Sequence, residues 1–270
     1  MDFHWLPLRI QKDYLFAPRH EEYREILEVA RSQQYRAMSL REAHSGSGGW
    51  AHQRLLALRH DVDTNNRKGV RLFFELEREF GVTATYYFRL KTLEMTDIVR
   101  EILEYGSEVG YHFEEPATLA KRDRITSCRE LEKEENRKRI DEMMERNIRH
   151  VNAKLGIQIR SLCSHHDFYN RRLHVENYAF LSDQIRQQFN ILFEANDPSF
   201  LGLFDRCTHD VTDNAWLWHN DDSPVKAMLE GMPRILVLTH PRQWHPAPVV
   251  NTRENLNRLL QELYYRALGI

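Results

Sequence analysis

Residues 55–63 read Leu-Leu-Ala-Leu-Arg-His-Asp-Val-Asp, and no other stretch restricts the fold as tightly. Four apolar or small residues run into a cluster holding one imidazole and two carboxylates. A continuous apolar run bounded by polar residues reads as a strand buried on both faces. In parallel α/β folds, ligands sit beyond the carboxyl ends of such strands. His60, Asp61 and Asp63 therefore fall where chemistry is usually placed. Asp61 and Asp63 are two apart, so an extended chain points both carboxylates to one side and His60 to the other, in a supporting role. Two carboxylates on one side repel unless a cation or a proton lies between them. The plainer reading is a strand ending in a polar turn, with Asp63 capping a helix that starts near Asn66.

The pattern recurs. Residues 107–111 lead into His112-Phe113-Glu114-Glu115, residues 159–164 into His165-His166-Asp167, and residues 234–239 into His240-Pro241. In four places a strand ends in His, Asp or Glu. Neutral imidazole and carboxylate are ligands of zinc and related divalent ions. The repetition points to a metal-dependent active site.

Around these strands the chain alternates. Helical spacing of apolar residues runs over 20–32, 70–80 and 97–105, with Gly81 and Gly106 placed to end the second and third helices. Residues 35–40 suit a short edge strand, and 83–88 a strand rich in β-branched and aromatic residues. The most charged region, 118–156, carries an apolar stripe and reads as a helix stopped by Gly156, its polar remainder a solvated face. Weaker strands fall at 190–193 and 204–208. A closing amphipathic helix spans 251–268 through Leu256, Leu259, Leu260 and Leu263. About seven strands alternating with helices from Leu55 onward predict one α/β domain, a distorted or incomplete (β/α) barrel over 55–270. Residues 1–54 would form an amino-terminal strap and helix packed on it.

Composition narrows the function. A formal net charge of -2, without a basic cluster interleaved with aromatics, argues against a nucleic-acid surface. Cys128, Cys163 and Cys207 are odd in number and widely spaced, which argues against a disulfide framework or a thiolate zinc site. No apolar run approaches the length of a membrane span, and no signal-peptide pattern opens the chain, so a cytoplasmic location is expected. The glycine-rich loop at 45–49 lacks the ending of a phosphate-binding loop.

The order of motifs resembles the polysaccharide deacetylase family: an apolar strand into Arg-His-Asp-Val-Asp, then Gly-Val-Thr-Ala-Thr-Tyr-Tyr-Phe, Glu-Val-Gly-Tyr-His and Leu-Thr-His-Pro. It is closest to a divergent branch with His-Asp-Val-Asp in place of Thr-Phe-Asp-Asp-Gly. The resemblance covers roughly residues 55–244. It implies a distorted (β/α) barrel using one divalent ion, zinc first, with manganese, iron, cobalt or nickel as alternatives. The reaction implied is removal of acetyl groups from an N- or O-acetylated sugar or sugar-bearing molecule. By the same resemblance Asp61 is the general base and His240 the general acid, while Asp63 and His112 hold the metal. The usual second histidine after His112 is absent. His165 is the candidate third ligand, and Glu114 and Glu115 are rivals or partners that orient His112. The Arg-Pro-Tyr segment that tunes the base in the family is not evident. Asp210 or Asp213 with Trp216 could flank an acetyl pocket, and Trp216, Trp218 and Trp244 could stack on a sugar ring or else pack in the core or a lid. Two other functions compete: a hydrolase of another amide or ester on the same fold, and a non-catalytic carbohydrate-binding or scaffold protein.

Overall fold

The apolar run at 55–58 opens the central strand of a parallel sheet, and all eight residues of that strand, Leu55–Val62, are buried. The computed structural model describes residues 13–46, 49, 53–210, 218 and 222–267. The strands are β1 (Arg36–Ser39), β2 (Leu55–Val62), β3 (Thr85–Phe88), β4 (Glu108–Phe113), β5 (Ser161–Ser164), β6 (Phe193–Glu194), β7 (Arg206–His209) and β8 (Arg234–Thr239). The helices are α1 (His20–Ser32), α2 (Leu40–Ser45), α3 (Arg67–Phe80), α4 (Thr96–Tyr105), α5 (Glu115–Asp123), α6 (Cys128–Leu131), α7 (Glu134–Leu155), α8 (Phe168–Leu173), α9 (Asp183–Phe189), α10 (Pro198–Leu201), α11 (Pro224–Leu229) and α12 (Pro248–Ala267).

Strand order is β6-β5-β4-β3-β2-β8-β7, with every pairing parallel. β1 pairs with residues 55–58 of β2, and β3 takes over beside residues 59–62. The path ends at β6 and β7, which do not pair with each other. The seven strands thus make a curled half-barrel, the incomplete (β/α) barrel expected from the sequence. Among the described residues no helix is long and apolar enough to cross a membrane.

Alternation divides the core in two. Leu56, Leu58 and Val62 of β2, with Tyr86 and Phe88 of β3, pack outward against the helices. Leu55 and Ala57 face inward with Tyr87, Cys163, Phe193 and Leu236. The inward face of β4 carries Gly110, and a Cβ there would lie 2.3 Å from the Tyr87 ring. That contact explains a glycine in mid-strand, because the ring fills the space a side chain would need.

One expectation is corrected. The charged stretch 118–156 is not one helix: Arg124 adopts a left-handed conformation (φ 59°) that ends α5, and the Ser127 hydroxyl then caps α6. Gly156 does end α7, as Gly81 and Gly106 end α3 and α4. The closing helix is present, but Leu256, Leu259, Leu260 and Leu263 face solvent rather than the core. Residues 1–12 of the expected strap lie outside the described residues; α1 packs against α3 and α11.

Gly110→Ala should destabilise the fold by ~1–3 kcal/mol through overpacking. Chemical denaturation would read this as a lower midpoint, partly recovered when Tyr87→Leu is added. An unchanged midpoint for Gly110→Ala would show that the ring moves freely.

Candidate active site

The carboxyl ends of the strands converge as the sequence suggested, and β2 shows how. Arg59 and Asp61 point into the barrel while His60 between them points at the helices. Asp61 accepts two parallel hydrogen bonds from one edge of the Arg59 guanidinium, Nε to Oδ1 at 2.8 Å and Nη2 to Oδ2 at 2.7 Å. Arg59 also donates to the Ala195 carbonyl at 3.1 Å and to Asn196 Oδ1 at 2.8 Å, which ties it to the segment after β6. Burial alone would raise the Asp61 carboxyl. The Arg59 charge and hydrogen bonds, with His112 and His240 nearby, reverse that and bring it to about 2. Arg59 has no place among the residues expected from the sequence, although its position two residues before Asp61 puts both on one face.

On the other face, His60 Nδ1 lies 2.6 Å from the Thr239 hydroxyl and Nε2 lies 2.6 Å from Glu77. Glu77, fully buried in α3, also accepts from Tyr23 at 2.9 Å and Tyr86 at 2.6 Å. His60 and Thr239 are register partners in β2 and β8, so this network joins the two strands one residue from Asp61 and His240. The supporting role expected for His60 takes this form.

Three of the expected ligands meet at one point. Asp63 Oδ1 lies 3.3 Å from His112 Nε2 and 3.1 Å from His165 Nδ1, and the two nitrogens are 3.2 Å apart. Donors about 2.1 Å from a zinc-type ion at tetrahedral angles lie about 3.4 Å apart, close to each edge of this triangle. His112 Nδ1 is 2.9 Å from the Cys163 carbonyl, which can only accept, so Nδ1 carries the proton and the Nε2 lone pair faces the triangle. Asp63 Oδ1 is buried and has no hydrogen-bond partner. Burial lowers His165, favouring its neutral form, with the Asp63 charge opposing and the Arg89 charge adding to the effect. With the proton of neutral His165 on Nε2, three lone-pair donors face one another, a set that could hold a divalent cation. Asp63 does not cap the following helix; Asn66 does, accepting from the Gly69 backbone at 3.1 Å.

A second cluster, Asp61, His112 and Cys163, has donors within 4.8 Å of one another. It is the poorer set for a metal. The Asp61 charge is already paired with Arg59, and burial pushes the Cys163 thiol up, against the thiolate a metal requires.

The two glutamates do other work. Glu115 accepts from Tyr111 at 2.6 Å, from Asn147 at 2.7 Å and from the Glu114 backbone at 3.0 Å, which turns it away from the triangle. Glu114 pairs with Arg89, at the end of β3, whose charge acts on Asp63 and His165. Neither belongs to a metal-donor cluster among the described residues.

His240 follows β8. Its Nδ1–H donates to Asp210 Oδ1 at 2.7 Å, while Asp210 Oδ2 accepts from the His240 backbone at 2.7 Å and the Trp244 indole at 2.6 Å. Burial lowers the imidazole, but the Asp210 charge and hydrogen bond, with Asp63 and Asp61, outweigh it and bring it to about 9. The first turn of α3 seats this segment. Asn66 donates to the carbonyls of Pro241 and His245, and a Cβ at Gly69 would sit 2.3 Å from the Pro241 oxygen. Asp210 is thus the partner of His240; no local motif links the two, only the adjacency of β7 and β8. Trp244 is corrected as a sugar-stacking residue: it is fully buried, with Arg19 over its ring at 4.3 Å and Phe73 and Trp218 against it. Trp216 and Asp213 lie outside the described residues.

Arg59→Met leaves the Asp61 charge buried without its partner and should cost ~3–5 kcal/mol of stability. Adding Asp61→Leu should return most of that loss in equilibrium unfolding. If the double variant is no more stable than Arg59→Met, the pair is not what Arg59 stabilises.

No family model matches the chain, and no curated protein does. Solved structures are similar to it. One is a CE4 family pseudoenzyme from Bacillus anthracis, 14% identical over 81% of this chain and 62% of that one, with a TM-score of 0.41. Another is a variant of a peptidoglycan deacetylase from Bacillus subtilis, 12% identical over 81% of this chain and 96% of that one, with a TM-score of 0.44. A third is a Streptococcus pyogenes deacetylase in complex with acetate, 9% identical over 84% of this chain and 87% of that one, with a TM-score of 0.42. The chain spans less than two thirds of the Bacillus anthracis protein.

Proposed function

We propose that this chain is a metal-dependent hydrolase that removes an acetyl group from an N- or O-acetylated sugar. The observation that carries the proposal is the triangle of Asp63 Oδ1, His112 Nε2 and His165 Nδ1, with edges of 3.1–3.3 Å, at the carboxyl ends of three strands. Two imidazole nitrogens and a carboxylate oxygen suit zinc and its neighbours and leave coordination positions open. A divalent ion held there would supply Lewis acidity toward an acyl carbonyl and toward water.

The chain's own groups supply the proton transfers. Asp61, with Oδ2 3.8 Å from His112 Nε2, stays ionised and can accept the proton of an attacking water. Arg59 aims that carboxylate through both of its oxygens, each of which keeps a second lone pair. His240, with Nδ1–H given to Asp210, can hold a second proton on Nε2 and deliver it to the departing amine or alkoxide. The groups are thus set apart in pKa, one kept as base and the other as acid. Arg89, close to the triangle and paired with Glu114, adds positive charge at the mouth of the site.

Purified protein reconstituted with zinc should hold about one ion per chain. Asp63→Ala and His112→Ala should lose it while the fold persists by circular dichroism, and His165→Ala should weaken it. Acetate should be released from members of a panel of acetylated sugars. Stoichiometric metal in both Asp63→Ala and His112→Ala would remove the ligand assignment. Metal binding with acetate released only from non-sugar esters would favour a hydrolase of another substrate, and binding of acetylated sugars without turnover would favour a non-catalytic role.

Asp61→Asn and His240→Ala should keep the metal while turnover falls ~10²–10⁴-fold. An activated phenyl acetate, whose leaving group needs no proton, should be much less sensitive to His240→Ala. The pH profile tests the Asp210 pairing. The raised pKa of His240 keeps its proton until the pH climbs toward about 9, less whatever a bound cation subtracts by offsetting Asp61 and Asp63. Asp210→Asn removes the charge that holds this proton, so the alkaline limb should move down toward the ordinary imidazole range, about 6.5. The acid limb should stay in place. An alkaline limb that does not move would take His240 out of the acid role.

A further inference from the structure

We infer that α12 is the seat of a homodimer in which two copies pair through an antiparallel leucine seam. The helix lies with its polar side inward. Asn251 donates to the Asp13 carbonyl at 2.9 Å, Glu254 accepts from Lys91 at 2.6 Å, Asn255 donates to Asp13 Oδ2 at 2.6 Å, and the Tyr265 hydroxyl donates to the Lys121 carbonyl at 3.2 Å. These residues recur at helical spacing and face the body of the protein. The opposite face carries Val249, Leu256, Leu259, Leu260 and Leu263, exposed by 83%, 57%, 38%, 59% and 44%, with Tyr264 at its margin. At 100° per residue Val249, Leu256, Leu260 and Leu263 fall within one narrow stripe, and Leu259 and Tyr264 flank it. A surface helix ordinarily turns that stripe to the core, and here the core side is filled by hydrogen bonds and an ion pair.

The size of the stripe favours a second copy of this chain. A leucine left about half bare shows on the order of 100 Å² of apolar surface. Val249, Leu256, Leu259, Leu260, Leu263 and Tyr264 together offer roughly 600 Å². That is at the upper end for the largest apolar patch of a typical monomer, about 300–600 Å², and approaches the roughly 800 Å² each partner gives to a standard interface. An antiparallel pairing with its twofold axis between Leu259 and Leu260 sets Leu256 against the partner's Leu263 and Leu259 against the partner's Leu260. The stripe is therefore self-complementary, as an isologous interface requires. Along α12 three arginines, Arg253, Arg258 and Arg266, stand against two glutamates, Glu254 and Glu262, a near balance unlike the Lys- and Arg-rich face with which a helix lies on an anionic membrane.

Sedimentation velocity of the full chain at about 20 μM should report a dimer, within the affinity range of interfaces this size. Leu256→Glu combined with Leu263→Glu sets like charges against each other across the seam and should give a monomer with unchanged circular dichroism. A second measurement does not depend on that variant: with Cys207→Ser as background, Leu260→Cys treated with a short bis-maleimide should form a covalent dimer. Leu229→Cys, exposed on α11, should not. A parent that stays monomeric overturns the inference, whether or not it binds phosphatidylglycerol vesicles. So does a dimer that survives both glutamates, or cross-linking equal at Leu229 and Leu260.

Discussion

A strand that ends in Arg-His-Asp and is buried on both faces must have its charges neutralised on both faces. Taking an ionised group out of water costs several kcal/mol unless partners replace the solvent. β2 meets this condition in two directions. Inward, the Arg59 guanidinium closes on Asp61; outward, His60 meets Glu77, with Tyr23, Tyr86 and Thr239 completing the network. Much of the surrounding architecture serves these pairs. α3 brings Glu77 beneath the strand, β8 brings Thr239 in register, and the segment after β6 fixes the far side of Arg59.

The same arrangement separates the chemical character of groups that lie close together. Asp61 is kept ionised by a fixed cation, and His240 is kept protonated by the Asp210 carboxylate, so neighbouring strand ends carry a base and an acid. Between them Asp63, His112 and His165 bring lone pairs to a common point. In His112 the proton is committed to the Cys163 carbonyl, which leaves the other nitrogen with nothing to donate. Tautomer and burial, as much as residue type, make the triangle one that could hold a cation.

Distance from the backbone pattern decides which roles are legible in the sequence. Inward and outward facing along a strand follows from a period of two, so the spacing alone assigns sides to Asp61, Asp63 and His60. The convergence of His112 and His165 follows from their places at strand ends. Arg59 is as legible as Asp61 in position, since it shares its face, but an arginine is not a metal ligand and its type does not mark it as part of the site. Asp210 is beyond reach as the partner of His240, because which strands are neighbours is set by the closure of the sheet. Trp244 misleads because an aromatic beside a site looks the same in sequence whether it faces a ligand or a core.

By itself, then, the sequence determined the alternation of strands and helices, the half-barrel they build, and the gathering of imidazoles and carboxylates at one end, because these depend on local periodicity. Only the tertiary structure decided what each charge is paired with, since partners such as Arg59 with Asn196 or His240 with Asp210 come from strands that meet through packing. It also decided the orientation of α12. Its leucines have the spacing of a core-facing stripe, yet Asp13, Lys91 and the Lys121 carbonyl hold its polar side inward, and that turn of the helix leaves the leucines in solvent.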